Sequence, residues 1–268
     1  MTEKSTSDDI NIKDDTDTDT KKEKKPLKQA VIDELKFIAG LAAFLFLFFN
    51  FVFGHFKIPS ESMQPTLEVG DHLYVNKFSY GFSKHSLILG MHKLPFLNDG
   101  RVFARMPKRG DVVVFRSPTG QNIVMIKRLV GLPGDEIETR RGRLYVNGEL
   151  VERKAIDTFS YRDHRNKQVV EVTQYEEQLD GEKDPHQIYE TSDIEKLDSR
   201  GPYIIPDDKF FFMGDNRDNS QDSRAPLGPG FVPFDHLIGR ADMMVYSLKK
   251  CKKEEGLKCP GIRFFKML

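Results

Sequence analysis

The sequence predicts a mostly β protein preceded by one transmembrane helix. Residues 37 to 54 (FIAGLAAFLFLFFNFVFG) carry no charge, and Asn50 is their only strongly polar residue. After them, short segments rich in β-branched and aromatic residues alternate with Gly, Pro, Asp and Asn, which is the pattern of strands joined by turns. No long apolar repeat with the 3.6-residue period of a helix follows residue 54. We therefore expect a membrane-anchored, all-β domain.

Residues 1 to 36 are predicted to be a disordered segment. The first twenty are acidic and contain almost no bulky apolar residues, a composition that cannot form a packed core. The next sixteen are rich in lysine. Over the whole chain, Lys+Arg and Asp+Glu both total 41, so net charge gives no indication of a nucleic-acid partner.

The run 37 to 54 is at the short end of the length range of a membrane-spanning helix. A cleaved signal peptide is the alternative, but bulky residues follow the run and no small-x-small cleavage site appears. Lysines cluster before the run and only Lys57 lies close after it, so the positive-inside rule places the N-terminus in the cytoplasm. Residues 55 to 268 are then exported. The preceding lysines are Lys21, Lys22, Lys24, Lys25, Lys28 and Lys36.

The exported part shows strand patterns separated by turn residues, and VNGE (146 to 149) is a strong hairpin signal. Residues 154 to 201 differ, because they are polar and charged and VVEVTQY (169 to 175) is their only clear strand. They are predicted to form a small β subdomain inserted into the core. The core strands are predicted at 72 to 78, 111 to 117, 122 to 130, 135 to 140, 143 to 151, 208 to 215 and 241 to 248.

Two features are left open by the sequence. Residues 78 to 106 are apolar and aromatic without clean alternation, which suits either a loop folded onto the core or a patch that contacts membrane lipid. Cys251 and Cys259 would meet an oxidising environment if exported, and either a disulfide or two free thiols is compatible with their spacing.

Two serines next to the apolar run are candidate nucleophiles. Ser60 and Ser62 lie between Pro59 and Pro65 in KIPSESMQPTL, and a plain turn is the alternative. The seven histidines show no metal-ligand spacing, and neither a GxSxG motif nor a Gly-rich phosphate loop is present. A hydrolase built on these serines needs another base.

Lys127, within NIVMIKRLVGLPGD, is the candidate base. A lysine among apolar neighbours loses hydration, so its pKa falls and its neutral amine can accept a proton. A lysine that extends to solvent is the alternative. A third segment, MGDNRDNSQDSR (213 to 224), is dense in carboxylates, guanidinium groups and amides. It suits a hydrogen-bonded network, a solvated turn, or a calcium loop without the full EF-hand spacing.

Together these segments resemble bacterial type I signal peptidase, a membrane-bound protease with a serine nucleophile and a lysine base. PSESMQPTL is similar to the family's serine box, RGDVVVFR to the strand that follows, IKRLVGLPGD to its lysine box and GDNRDNSQDSR to its last box. The resemblance covers residues 37 to 248. It implies an all-β catalytic core with an inserted β subdomain, and a single-pass protein of the bacterial inner membrane.

The resemblance also implies roles for individual residues. Ser62 would be the nucleophile, Lys127 the general base, and Ser60 an oxyanion donor beside the Ser62 backbone N–H. The supporting residues would be Ser220, which orients the lysine amine, and the ion-pair network of Asp222, Arg224 and Arg128. No metal or organic cofactor is expected.

The implied substrates are the signal peptides of secreted preproteins, cut after Ala-x-Ala-like residues. Glu61 departs from the family pattern, which often has glycine there. We expect its side chain to point away from the pocket, because a carboxylate beside the nucleophile would raise the pKa of Lys127.

Three other functions remain open at this point. One is a specialised, membrane-tethered Ser-Lys processing peptidase with one or few substrates. Another is an inactive, membrane-anchored β domain that binds exported chains. The third is a calcium-binding surface domain.

Overall fold

The computed structural model describes residues 26 to 86, 100 to 120, 122 to 248 and 254 to 268. They divide between two compact units, residues 1 to 44 and 45 to 268, and every site discussed below belongs to the second. The described residues contain one α-helix, α1 (Leu27–Phe51), and the following strands: β1 Phe53–Lys57, β2 Asp71–Asn76, β3 Val112–Arg116, β4 Val124–Gly131, β5 Glu136–Arg140, β6 Arg143–Val146, β7 Glu149–Leu150, β8 Arg153–Arg162, β9 Val169–Glu177, β10 His186–Glu190, β11 Arg200–Ile204, β12 Lys209–Met213, β13 Val232–Pro233, β14 Leu237–Ser247, β15 Leu257–Lys258 and β16 Arg263–Met267.

The helix α1 is offset from the apolar run at 37 to 54. It begins ten residues earlier, at Leu27, and ends at Phe51, while Phe53 and Gly54 belong to β1. Within the described ranges, the structure contains no helix with the length and apolarity that a membrane span requires.

The protein is mostly β, as predicted, and its main sheet has eight strands. The order is β1-β2-β14-β3-β4-β12-β13, with β16 on β14, and all of these pairs are antiparallel. The register between β14 and β2 shifts twice, and the register between β14 and β3 shifts once. Such irregularities bend a strand and increase its twist, so the sheet curls.

Strand β3 shows how the sheet separates two cores. Val112 and Val114 pack in one buried cluster, whereas Val113 and Phe115 pack in a second. Successive side chains of a strand point to opposite faces, so both faces of the sheet are covered at β3. The continuous apolar run VVVF is the sequence pattern of such a doubly buried strand.

Residues 154 to 201 contain more strands than the one that was predicted. Besides β9, they hold nearly all of β8, the whole of β10 and the first two residues of β11. The first three form a sheet with β15, and β11 joins β5, β6 and β7 in another. Most of β8 is exposed, so no apolar alternation marks it in the sequence. Its hydrogen bonds to β9 stabilise it instead.

The hairpin predicted from Val-Asn-Gly-Glu is confirmed. Strands β6 and β7 pair antiparallel across Asn147 and Gly148. Both residues have positive φ angles, 55° and 81°, as a two-residue hairpin turn of type I′ requires.

The described part of the segment 78 to 106 contains both buried and exposed apolar residues. Tyr80 is buried in the core at 2% exposure, but Phe78, Phe103 and Met106 expose 39%, 69% and 57% of their surface. Residues 87 to 99 lie outside the described residues.

The cysteines fall at the edge of the described part. Cys259 is disulfide-bonded. Cys251 lies outside the described residues.

Candidate active site

The segment that carries the two serines is held at both ends by the core. The Ile58 N–H donates to the Asp71 carbonyl at 2.8 Å, and the side chains of Ile58 and Met63 are buried in one apolar cluster. Between these attachments, the Oγ atoms of Ser60 and Ser62 lie 3.3 Å apart. The two hydroxyls therefore occupy a small, fixed space at the end of β1.

Lys127 reaches this space from the middle of β4, where it pairs with Val113 of β3. Its Nζ donates to Ser62 Oγ at 2.6 Å and to the Ile126 carbonyl at 3.0 Å. Both members of the pair are buried, with Ser62 7% and Lys127 4% exposed. The structure thus brings together two residues that are 65 positions apart in the chain.

The environment of Lys127 makes its neutral form accessible. Burial lowers the pKa of its amine to about 8, although the negative charges of Asp222 and Asp215 oppose the shift. An exposed lysine has a pKa near 10.4. Near pH 8 the amine can therefore accept the proton of a serine hydroxyl with which it already shares a hydrogen bond.

Arg128 points to the opposite side of β4 from Lys127 and binds Asp215 through two atoms. Its Nε donates to Oδ1 at 2.8 Å and its Nη2 to Oδ2 at 2.7 Å. Thr66 Oγ1 adds a third hydrogen bond to this carboxylate at 2.5 Å. Burial alone would raise the pKa of Asp215, but the charge and hydrogen bonds of Arg128 outweigh it and hold the pKa below its usual value.

Asp222 and Arg224 form a second buried pair. The Arg224 Nε and Nη2 donate to Asp222 at 3.0 and 2.8 Å, and the Gly214 N–H donates to the same carboxylate at 3.0 Å. Arg224 also donates to the Arg217 carbonyl at 2.6 Å. These hydrogen bonds connect the beginning, the middle and the end of the segment 214 to 224, which lies beside the serines.

Ser220 lies in the site but does not make the predicted bond to Lys127. Its Oγ is buried and has no hydrogen-bond partner among the described residues. It packs against Gly214, where an added Cβ would lie 2.3 Å from Ser220 Oγ and 2.5 Å from the Ser62 carbonyl oxygen. This close packing holds Ser220, while the lysine amine is bonded to Ser62 and Ile126 instead.

Several contacts of the site were not anticipated from the sequence. The Asn216 N–H donates to the Ser62 carbonyl at 3.1 Å and so fixes the segment that carries Ser62 directly. Arg217 pairs with Glu177, and Arg128 with Glu182 at 3.4 Å. Both glutamates come from the polar region 154 to 201, in which no sequence signal distinguishes them from its many exposed carboxylates.

Glu61 is directed away from Lys127. Its carboxylate accepts the His164 N–H at 2.8 Å and lies 3.4 Å from the Asn219 amide nitrogen. Burial raises the pKa of Glu61 to about 7, the His164 N–H opposes the rise, and the neighbouring Asp163 adds to it. The side chain therefore joins the segment that carries Ser60 and Ser62 to the loop after β8.

Beside the catalytic candidates, β4 offers a free stretch of backbone. Strand β12 pairs with β4 only from Arg128 to Gly131. In the described part of the chain, no strand pairs with Val124 to Lys127 on that side. An extended peptide can add to this stretch and pass the Ser62 hydroxyl.

A family model described as signal peptidase, peptidase S26, matches residues 31 to 246. The signal peptidase I of Rickettsia typhi (strain ATCC VR-144 / Wilmington) is 36% identical over 200 residues, which covers 72% of each chain. That of Rickettsia canadensis (strain McKiel) is 33% identical over 241 residues, 88% of this chain and 84% of the relative.

A solved signal peptidase I from Enterococcus faecalis V583 is 26% identical and covers 51% of this chain and 97% of its own, with a TM-score of 0.30. The family assignment rests on the family model and on the Rickettsia relatives. This chain belongs to the signal peptidase family, peptidase S26.

Proposed function

We propose that the chain is a membrane-bound serine endopeptidase that removes N-terminal signal peptides from exported preproteins. Ser62 is the nucleophile and Lys127 the general base. The observation that carries this proposal is the 2.6 Å hydrogen bond between a buried lysine amine and a serine hydroxyl. Membership of the signal peptidase family supports the same reaction and substrate class.

In the first half of the reaction, the neutral Lys127 amine takes the proton of Ser62 as Oγ attacks the carbonyl carbon of the scissile peptide. The carbonyl oxygen becomes an oxyanion, to which the Ser60 hydroxyl and the Ser62 backbone N–H donate. The lysine ammonium then protonates the leaving amine, the C–N bond breaks, and an ester to Ser62 remains.

In the second half, Lys127 removes a proton from water, and the hydroxide attacks the ester carbonyl. The ester bond breaks, and the proton on Lys127 returns to Ser62 Oγ. The 3.3 Å separation of the two serine hydroxyls supports a place for Ser60 in the oxyanion site. Arg128–Asp215 and Asp222–Arg224 hold the segments that carry the reacting groups.

The substrate binds as an extended strand along the free edge of β4 before Lys127. Main-chain hydrogen bonds would provide affinity, and alternate side chains would enter pockets. This placement is supported by the register of β4 and β12, which leaves Val124 to Lys127 open on one side. Selection of small, Ala-x-Ala-like residues follows from the family resemblance.

The run 37 to 54 anchors the protein in the bacterial inner membrane, with the N-terminus in the cytoplasm and the catalytic domain exported. The support is the lack of charge in this run and the lysines that precede it. Phe37, Ile38 and Phe44 of α1 expose 65%, 53% and 61% of their surface, which suits contact with lipid.

The test uses the full chain in detergent and a preprotein whose signal peptide ends in Ala-x-Ala. Wild type should cut after the last small residue, with or without a chelator, and Ser62→Ala and Lys127→Ala should each abolish cleavage. Lys154→Ala, an exposed lysine, is the matched control and should cut normally. Retained activity in Lys127→Ala would refute the mechanism, and a wild type that cuts no preprotein would refute the substrate class.

A further inference from the structure

Three carboxylates meet beside the segment 214 to 224, in a place that the peptidase reaction does not use. They belong to Glu190 at the end of β10, Asp198 before β11 and Asp218. One side-chain oxygen of each lies within 4.8 Å of those of the other two. Each residue comes from a different segment, so the tertiary structure alone assembles the cluster.

The cluster is buried, and one oxygen of each of its three carboxylates lacks a hydrogen-bond donor. Glu190 and Asp198 are 3% and 1% exposed. Glu190 Oε2 is buried and has no hydrogen-bond partner among the described residues. Asp198 Oδ1 and Asp218 Oδ1 are also buried without a donor, and the two side chains lie close enough to share a proton. Burial of a carboxylate oxygen without a donor destabilises the folded state, so a group that compensates for the lost hydration is expected beside it.

The remaining oxygens of the three residues are held in place by fixed donors. Asp218 Oδ2 accepts the Thr191 N–H at 2.7 Å, and Asp198 Oδ2 accepts the Glu195 N–H at 2.5 Å. Glu190 Oε1 accepts from Arg153 at 3.1 Å. These donors orient the second oxygen of each carboxyl group away from the donor. Burial nevertheless raises the pKa of Glu190, and burial together with the charge of Asp218 raises the pKa of Asp198 to about 6.

The positive charges around the cluster are committed to other acids. Arg217 binds Glu177, and Arg224 binds Asp222. Arg153 is shared between Glu190 and Asp193. Of these three guanidinium groups, only that of Arg153 bonds to the cluster directly, although the charges of all three favour the ionised form of Glu190.

We propose that Glu190, Asp198 and Asp218 form a site for a hard divalent cation, with Ca²⁺ as the best fit. Calcium takes six to eight oxygen ligands at about 2.3–2.6 Å, so oxygens on opposite sides of the ion are about 5 Å apart. The three oxygens lie within 4.8 Å of one another, so one ion can contact all of them. Mg²⁺ requires near-ideal octahedral geometry and usually binds through only one or two carboxylates, so three carboxylates from separate segments suit Ca²⁺ better. Asp218 is only partly buried, which leaves an entry path and room for water ligands.

A cation here would fasten the region 190 to 198 to the segment that supports Ser62. Tyr189, next to Glu190, accepts the Arg217 N–H at 2.9 Å, and Asn216 donates to the Ser62 carbonyl. Asp218 is two residues from each of Asn216 and Ser220. Binding should therefore stiffen the catalytic segment, without the ion touching the substrate.

The test titrates Ca²⁺ into the chelator-treated full chain in detergent, by calorimetry and by thermal unfolding. We expect a dissociation constant on the order of 10⁻⁴ M, as in extracellular calcium modules, and a Tm about 5 °C higher at 5 mM Ca²⁺. Mg²⁺ should bind at least tenfold more weakly. Because no substrate is present, this result is independent of the proposed peptidase reaction.

Asp198→Asn should weaken Ca²⁺ binding at least tenfold and remove the rise in Tm, and Glu190→Gln is the second variant if Asp198→Asn does not fold. Asp207→Asn, an exposed aspartate, should bind as wild type does. Asp235→Asn tests the separate group of His85, Asp235 and His236, and it should also leave Ca²⁺ binding unchanged.

Two results would overturn the proposal. One is a wild-type Tm that does not respond to Ca²⁺. If Asp198→Asn is then more stable than wild type with or without the ion, the carboxyl groups share protons and do not bind a cation. The other is Ca²⁺ binding that survives both Asp198→Asn and Glu190→Gln, which would place the ion elsewhere.

Discussion

Lys127 is buried and lies near two carboxylates. Burial lowers the pKa of its amine and the carboxylates raise it, so the balance of the two effects sets the pH at which Lys127 can accept a proton. Burial brings its pKa down to about 8, and the attraction of Asp222 and Asp215 prevents a larger fall. At pH 7 most of the amine is therefore protonated, and the fraction able to accept a proton grows as the pH rises through 8. The proton on this one atom should control the rate.

We expect kcat/KM to rise about tenfold per pH unit below pH 8 and to level above it, because the free enzyme needs a neutral amine. The measurement is preprotein cleavage between pH 5.5 and 9.5. Lys127→Arg should be inactive throughout this range, since its guanidinium stays protonated. A midpoint below pH 6.5 would mean that a histidine or a carboxylate is the base.

Ser60 should matter for rate more than for binding. Removal of one oxyanion donor costs about 10²–10³ in kcat. We expect that loss in Ser60→Ala with little change in KM, measured with the same preprotein. Ser60→Thr, which keeps the hydroxyl, should recover part of the rate. If Ser60→Ala kept its full kcat, Ser60 would have no part in the oxyanion site.

At the scale of elements, Glu61 joins the segment that carries Ser60 and Ser62 to the loop after β8, and the stability of this junction should depend on pH. Its pKa is raised by burial from 4.5 to about 7. Between these values the native carboxyl holds more proton than the unfolded one, so stability falls as pH rises through that window. Glu61→Gln stays neutral and keeps an acceptor for the His164 N–H.

We therefore expect Glu61→Gln to be more stable than wild type by about 2 kcal/mol at pH 8, with the difference vanishing near pH 4.5. Denaturant unfolding at several pH values measures it. Glu171→Gln, an exposed glutamate, should track wild type throughout. A difference that did not change with pH would show that the Glu61 carboxyl is already ionised at neutral pH in the native state.

The Arg128–Asp215 pair connects β4 to the segment after β12, and both side chains are nearly inaccessible, at 7% and 1% exposure. Asp215→Asn removes the carboxylate that Arg128 binds through two atoms, and it leaves only Glu182, at 3.4 Å, to balance the buried guanidinium. We expect a loss of about 3–5 kcal/mol of unfolding free energy. The exposed pair Arg140–Glu138 is the control, and Glu138→Gln should leave stability unchanged. A small effect of Asp215→Asn would mean that water reaches Arg128.

At the scale of the whole molecule, we predict that the exposed apolar residues Phe103 and Met106 contact the bilayer. Apolar patches of this kind mark interaction surfaces. We expect the double substitution Phe103→Glu and Met106→Glu to slow cleavage of membrane-inserted precursors several-fold and to leave cleavage of a soluble peptide unchanged.

The control for that experiment is Ile194→Glu, which changes an apolar residue that is 88% exposed elsewhere on the domain. It should cleave both substrates at the wild-type rate. If the double variant cleaved membrane-inserted precursors as fast as wild type, the patch would have no role at the membrane.

Five of the eight strands of the central sheet could be predicted from the sequence, because they carry apolar residues in alternating or continuous runs such as VVVF in β3; these are β2, β3, β4, β12 and β14. Strands β1, β13 and β16 were not predicted. Strand β8 could not be predicted, since it is mostly exposed and its neighbours on β9 supply its hydrogen bonds. The local hairpin at Asn147 and Gly148 was predictable because its turn depends on two adjacent residues.

By itself, the sequence determined the mostly β class, the order of the motifs, and the serine and lysine that the structure places 2.6 Å apart. These features depend on local patterns or on short motifs that can be recognised without coordinates. The tertiary structure decided the partners of polar groups: Asp215 for Arg128, Asp163 and His164 for Glu61, and packing against Gly214 instead of a lysine bond for Ser220. Only folding brings such groups together from distant segments, and burial then makes each polar contact strong enough to decide orientation and pKa.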